Sequence, residues 1–236
     1  MPSSTTRLTD KVVLVTGGSS GLGAAIAAAV RAEGGRPVVL DRQGPPESLD
    51  VEFEKVDLAD TADTERVVTE VAERLGRIDA VVTCAGTDRP APFGSLPAED
   101  WERIVRVNLF GTASVIRAAL PALERDGGRI VTIASTLGHR VAGDASAYCA
   151  SKWGVVGFTR ALQMELQGRL PITMLTPGGM ATSFFDDRDE QYKPAPDTPL
   201  CDPADVADTV VFALTRPPGC EVKELIVAGP LETSWP

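Results

Sequence analysis

Short runs of apolar, mostly β-branched residues alternate along the chain with longer stretches in which apolar positions recur every three to four residues among Ala, Glu and Arg. The first pattern is that of strands and the second that of helices, and their alternation predicts parallel strands joined by crossover helices. The pattern predicts strands over Val12–Thr16, Pro37–Asp41, Glu54–Val56, Ala80–Thr83, Arg129–Ala134, Ile172–Leu175 and Glu224–Val227, and helices over Gly21–Glu33, Thr61–Gly76, Asp100–Glu124, Ser146–Gln167 and Pro203–Leu214. The stronger strands are apolar at nearly every position, as expected when both faces of a sheet are covered by helices. The fold expected is therefore α/β: a doubly wound, Rossmann-type parallel sheet of about seven strands, flanked by helices, in one domain spanning residues 1–236.

One segment breaks the alternation. Thr182 to Asp202 carries Phe184-Phe185, the charged run Asp186–Glu190 and prolines at 194, 196 and 199, with neither period. A connection of about 20 residues without structure is uncommon in a compact domain. It reads either as a substrate lid or as a plain surface loop.

Length and composition bound what the chain does. At 236 residues and 43% apolar it supports one sizeable core. The first ten residues are polar, and no run approaches the roughly 20 apolar residues of a membrane helix, so a soluble, cytoplasmic protein without a membrane partner is expected. A net charge of -10 without a basic stripe argues against nucleic acid. Cys84, Cys149, Cys201 and Cys220 are scattered, and the single His139 completes no metal pattern with them. They read as inert thiols of a reducing compartment, with no metal site.

Thr16-Gly17-Gly18-Ser19-Ser20-Gly21-Leu22-Gly23 stands between the first strand and the first helix. There, backbone N–H groups and the positive helix end can seat a pyrophosphate without a side-chain cation. Gly17 permits the tight turn, Gly21 lets the backbone approach the ligand, and Gly23 lets an Ala-rich helix pack close to the sheet. The same residues satisfy Gly-x-Ser-x-Gly, the nucleophile elbow of hydrolases. Context disfavours that reading, because an elbow follows several strands and His139 would have to be its base. Asp41, closing the second strand, is placed to accept hydrogen bonds from ribose hydroxyls and to repel a 2'-phosphate, which favours NAD over NADP. Arg42, next to it, is suited to pair with such a phosphate and keeps NADP open. Asp57, after the third strand, is placed to reach an adenine edge or is an ordinary turn aspartate.

Tyr148 and Lys152, four apart in a helical stretch, rise on one face about 6 Å apart along the axis. An ammonium about 5 Å from a phenol, at an effective dielectric near 20, favours the phenolate by roughly 3 kcal/mol, or about two pKa units. Tyrosine then exchanges protons near neutral pH. Ser135 closes the fifth strand, at the edge where ligands bind in open α/β sheets.

On these residues the chain resembles the short-chain dehydrogenase/reductase family from Lys11 to about Ala228. The matching motifs are Thr16-Gly17-x-x-x-Gly21-x-Gly23, Asp57, Cys84-Ala85-Gly86, Asn108, Ser135, Tyr148-x-x-x-Lys152 and Pro177-Gly178-x-x-x-Thr182. The resemblance implies Tyr148 as general acid/base, Ser135 hydrogen-bonding the substrate oxygen, Lys152 lowering the tyrosine pKa and holding the nicotinamide ribose, and Asn108 supporting a proton-relay water. It implies an NAD(P) site drawn from Gly17, Ser19, Ser20, Gly21, Leu22, Gly23, Asp41, Arg42, Asp57, Leu58, Cys84, Ala85, Gly86, Tyr148, Lys152, Pro177, Gly178 and Thr182. Hydride would pass between nicotinamide and a secondary alcohol or ketone. Two places depart from the family pattern: Cys84 stands where asparagine is common, and the ending Gly229–Pro236 is unlike the usual glycine-rich one. Trp235 is expected on a neighbouring subunit, at the substrate cleft, or in a simple tail.

Segments Thr87–Phe93, Leu137–Val141, Trp153 and Met180–Phe185 are expected to form the substrate pocket, favouring a mostly apolar small-molecule alcohol or carbonyl compound with one polar handle. The helices over 100–124 and 146–167 carry exposed-looking apolar positions, and the resemblance implies a homotetramer or homodimer through them. The competing function is a dinucleotide-binding sensor or scaffold. It would need only the glycine turn and Asp41, not Asn108, Ser135, Tyr148 and Lys152.

Overall fold

The structure, a computed structural model, describes residues 6–235. Its strands are β1 (Val12–Thr16), β2 (Arg36–Asp41), β3 (Glu52–Lys55), β4 (Ala80–Thr83), β5 (Arg129–Ile133), β6 (Ile172–Pro177) and β7 (Glu224–Val227). Its helices are α1 (Gly21–Ala32), α2 (Thr61–Leu75), α3 (Ala98–Val105), α4 (Thr112–Asp126), α5 (Ser146–Glu165) and α6 (Pro203–Leu214). The strands form one parallel sheet in the order β3-β2-β1-β4-β5-β6-β7. The chain starts at the centre, builds out to β3, then crosses β1 and builds out to β7. β1 and β4 are neighbours whose connections leave in opposite directions, and at such a switch point a crevice opens at the carboxyl ends of the strands.

The period of two along β1 explains its uniform apolarity. Val12 and Leu14 pack with Val68 and Val71 of α2 and Val115 and Ile116 of α4, whereas Val13 and Val15 pack with Ile26 and Val30 of α1 and Val206 and Val210 of α6. Each such aliphatic side chain contributes about 1.5–3 kcal/mol on leaving water. Helix ends follow local chemistry: Asp60 accepts the Asp63 N–H at the start of α2, Gly76 closes it at φ +72°, and Asp202 with Pro203 opens α6. Among the described residues no helix is long and apolar enough to cross a membrane.

Two elements differ from expectation. The helix expected over Asp100–Glu124 is α3, a six-residue π-helical stretch Arg106–Gly111, and α4. Asn108 lies inside the wide turn, and at Gly111 a Cβ would come within 2.8 Å of the Leu58 Cβ. β3 begins two residues earlier than expected, at Glu52, because backbone pairing with β2 and not apolarity defines it: Glu52, Phe53 and Glu54 are only partly buried and Lys55 is exposed.

Candidate active site

The glycine turn leaves β1 and enters α1. Gly17 and Gly21 have φ of +67° and +49°, values that favour glycine. A Cβ on Gly17 would lie 2.6 Å from the Ala85 Cα, and one on Gly23 would lie 2.0 Å from the Gly17 carbonyl oxygen. Ser20 is extended and makes no side-chain cap bond to α1. The first N–H groups of α1 are therefore left for an anion, with the partial positive charge of the helix end behind them. Leu22 is buried beneath the turn. The Asp41 carboxylate accepts the Ser19 N–H at 3.1 Å and the Gln43 N–H at 3.2 Å, and the Ser19 hydroxyl donates to the Gln43 carbonyl at 2.5 Å. The carboxylate is thus fixed beside the turn.

Arg42 is exposed. Asp57 accepts the Ala59 N–H at 3.0 Å and Arg103 Nη2 at 2.9 Å. Burial pushes its carboxyl up, but the Ala59 N–H, Arg103 and the more distant charge of Arg42 leave it below its ordinary value. Leu58 is buried next to Gly111. Where the family pattern has asparagine, Cys84 is half-buried and its thiol is pushed up to about 12 by burial, against the pull of the Lys152 ammonium. The next N–H, of Ala85, donates to Thr16 Oγ1 at 3.1 Å and ties the ends of β1 and β4. A Cβ on Gly86 would stand 3.7 Å from both Asn108 Oδ1 and Lys152 Nζ. Pro177 ends β6, the Gly178 N–H donates to the Val227 carbonyl, and Thr182 lies against Gly21.

Ser135 follows β5, is buried, and accepts the Leu137 N–H at 3.2 Å. Tyr148 lies in the first turn of α5 and Lys152 one turn further. Lys152 is buried; its Nζ donates to the Ile133 carbonyl at 2.9 Å and lies 5.7 Å from the Tyr148 ring centre. Asn108 is buried with both amide hydrogens donated: Oδ1 accepts the Thr87 N–H at 2.8 Å, and Nδ2 donates to the Thr87 carbonyl at 3.0 Å and to Ser151 Oγ at 2.9 Å. Ser151 in turn donates to the Tyr148 carbonyl at 2.7 Å. Asn108 therefore holds the segment after β4 against α5.

The titration of the pair corrects the spacing argument. Burial pushes the Tyr148 phenol up, to about 12; the Ser135 hydroxyl lowers it, Asp88 raises it and Arg188 lowers it. Burial likewise brings Lys152 down to about 8, an ammonium held by a backbone carbonyl. Withdrawing the charged form from water is the largest influence on both groups, and the Ser135 hydroxyl and Arg188 offset it only in part at the phenol.

Over this floor lies the irregular segment after β6. Ser183–Phe185 and Glu190–Tyr192 are single 3₁₀ turns. The Phe184 ring centre lies 5.9 Å from that of Tyr148. Of the other residues expected in the pocket, Phe93 and Val141 are each 75% exposed and Trp153 is 50% exposed, its indole N–H donating to the Arg140 carbonyl at 3.2 Å. Trp235 meets His139 edge to face at 5.2 Å, and Ser234 donates to Thr136 Oγ1 at 2.7 Å. Ser234 and Trp235 therefore lie against Thr136 and His139 of this chain.

A family model for the short chain dehydrogenases matches residues 11–193. The chain belongs to that family. An uncharacterized oxidoreductase of Staphylococcus aureus strain MW2 is 31% identical over 232 residues, which cover 94% of this chain and 98% of that protein. Two solved structures are similar. An alcohol dehydrogenase from Thermococcus sibiricus, complexed with 5-hydroxy-NADP, has a TM-score of 0.83 at 26% identity, covering 92% of this chain and 95% of that one. A metagenomic short-chain oxidoreductase in complex with NADP has a TM-score of 0.82 at 26% identity, covering 95% and 100%. These comparisons make the protein an oxidoreductase of the short-chain dehydrogenase class, a family that uses NAD(P).

For a member of this family, the residues read from sequence converge on the carboxyl edge of the sheet, from Gly17 through Thr182. Sequence reasoning expected Thr87–Phe93 and residues 182–202 around the site but missed the pairings: Thr87 and Ser151 hold Asn108, Arg103 holds Asp57, Asp88 meets Arg188, and Glu232 meets the Gly179 N–H. Glu232 accepts the Gly179 N–H at 2.8 Å and the Ser234 N–H at 3.0 Å, fastening the tail to the turn after β6. These partners lie tens of residues apart, and no spacing rule pairs them.

Proposed function

We infer that the protein is an NAD-dependent alcohol dehydrogenase or ketoreductase acting on a small secondary alcohol or ketone. The observation that carries this reading is the convergence of Ser135, Tyr148 and Lys152 at the carboxyl edge of the sheet, the edge from which the glycine turn also leaves β1. The residues fit a dinucleotide: glycine at Gly17 and Gly23 leaves backbone where a Cβ would clash, and the free N–H groups of α1 match a diphosphate. When bound, the nicotinamide supplies or accepts the hydride. Tyr148 gives its phenolic proton to the substrate oxygen as a ketone is reduced and takes it back in oxidation. Ser135 holds that oxygen with a hydrogen bond. Lys152, 5.7 Å from the Tyr148 ring centre, would hold the nicotinamide ribose, and its charge favours the phenolate. Asn108 keeps the segment carrying Gly86 in register with α5.

The Asp41 carboxylate beside the turn supports NAD over NADP, although the two solved neighbours carry NADP-type ligands. The mixture of Phe184 and Leu137 with polar neighbours supports a mostly apolar substrate with one polar handle, and residues 182–202 are its lid. The free cysteines support the reducing cytoplasm as its location.

NADH and NADPH titrations followed by a screen of ketones test the reading. NADH is expected to give the higher kcat/KM, and Tyr148→Phe is expected to lower kcat by roughly 10²–10⁴ while NADH binding persists. Tight NADH binding with no ketone reduced would mark a sensor instead, and undiminished turnover in the variant would remove Tyr148 from the acid/base role.

A further inference from the structure

Among the described ion pairs, Arg188–Asp88 is the one in which both side chains are largely buried, 15% and 5% exposed, with 2.8 Å between Nη2 and Oδ2. The partners stand 100 residues apart. Asp88 follows Gly86 by two positions, and Arg188 belongs to the segment over the site. The guanidinium carbon lies 5.0 Å and 4.7 Å from the ring centres of Phe184 and Phe185, and Phe184 is the ring that faces Tyr148. Asp88, Arg188, Phe184 and Tyr148 therefore form one packed series from the edge of the cofactor cleft to the phenol. A second tie runs from the Tyr192 hydroxyl to Asp144 at 2.9 Å. At its base the segment is pinned by the Met180–Cys201 bridge, with the Ala181 N–H on the Cys201 carbonyl and the Cys201 N–H on the Gly179 carbonyl.

As a device for stability the pair is poor. Two buried charges lose water that their attraction barely repays, and apolar side chains of the same volume serve a fold as well or better. Arg188 Nε is also buried without a hydrogen-bond partner, a further cost of about 1–3 kcal/mol. What the pair does supply is a directional joint, because a planar guanidinium held by a carboxylate and two rings has one seating.

We propose that Asp88 and Arg188 are a positioning pair that latches residues 183–192 over the site, lays Phe184 against Tyr148, and must release to admit substrate. The proposal rests on the reading of Tyr148 as the proton-transfer group. The pair acts through Tyr148 and is not itself part of the chemistry. The phenol is faced by Lys152 and Cys149 from its own helix, by Ser135 from the end of β5, by Asp88 from the segment after β4 and by Arg188 from the latched segment. Asp88 and Arg188 bear on it with opposite sign, so loss of either disturbs both the closure and the balance of charge above the ring.

Asp88→Asn, Arg188→Met and the neutral double variant Asp88→Asn/Arg188→Gln test this, the double variant keeping shape and hydrogen bonding where a single one fails to fold. Hydrogen exchange over residues 183–192, which needs no turnover, is expected to quicken on the order of 10-fold in each single variant, as when a local tether is lost. Exchange unchanged from wild type in both would overturn the latch. With a reducible ketone, kcat/KM is expected to fall on the order of 10-fold in each. Its apparent pKa should move down in Asp88→Asn, which removes an anion near the phenol, and up in Arg188→Met, which removes a cation. A purely structural tether would move both profiles the same way, and that result would overturn the proposal. Turnover surviving Tyr148→Phe would instead remove the acid/base reading and leave the exchange result standing.

Discussion

Lys152 carries a cost that its position explains. Its folded pKa is about 8, against about 10.4 in an unfolded chain. Between those two pH values the unfolded chain binds the extra proton, so stability rises with pH across that window and the deficit is complete below it. Lys152→Met is therefore expected to unfold at higher urea than wild type at pH 7, by on the order of 3 kcal/mol, to lose the rise above pH 8, and to lose turnover. Equal midpoints for the two proteins at pH 7 would show that the ammonium is solvated in the fold. Tyr148 and Lys152 were legible because a helix places i and i+4 together and because glycine turns and strand ends are local features. Their titration was not, since burial depends on Phe184 and the segment after β6, which sequence does not pair with α5.

Elements are joined near the opposite end of the sheet by Asp79, whose side chain is 7% exposed. Its carboxylate accepts the Val12 N–H at 2.9 Å, Lys11 Nζ at 2.9 Å and Arg77 Nε at 2.8 Å, linking the starts of β1 and β4. Burial pushes this carboxyl up, yet Arg77, the Val12 N–H and Lys11 together leave it below its ordinary value. Its contribution is present above the unfolded pKa of about 3.9 and is lost as pH falls through the lower native value. Asp79→Ala should cost about 2–3 kcal/mol at pH 7, since the buried Val12 N–H loses its acceptor. The gap from wild type in urea midpoint should close towards pH 3; a gap constant with pH would refute the ionic part. Strands with both faces covered were plain in the apolar runs, but β3 was misplaced because Glu52 and Glu54 give it no such run. The π-helical stretch was invisible because Val107, Asn108 and Leu109 suit either helix. What distinguishes them is the tertiary grip of Thr87 and Ser151 on Asn108.

Across the whole molecule, Trp153, Gly157, Ala161 and Met164 form an exposed stripe along α5, with Met164 79% and the nearby Phe110 49% exposed. Apolar surface of this kind on a helix of the outer layer suits a symmetric contact between copies, and a homotetramer is the expected assembly. Sedimentation should give a mass several times that of one chain, falling in Ala161→Glu/Met164→Glu; a wild-type monomer would refute it. The same view separates floor from roof. The turn after β1, Ser135, Tyr148 and Lys152 are built into the sheet and α5, while residues 182–202 and 229–235 merely rest on that base through a few ties. Transplanting those two stretches from a relative should thus exchange substrate preference and leave hydride chemistry untouched. Selection can retool such an enzyme by exchanging its cover and keeping its engine.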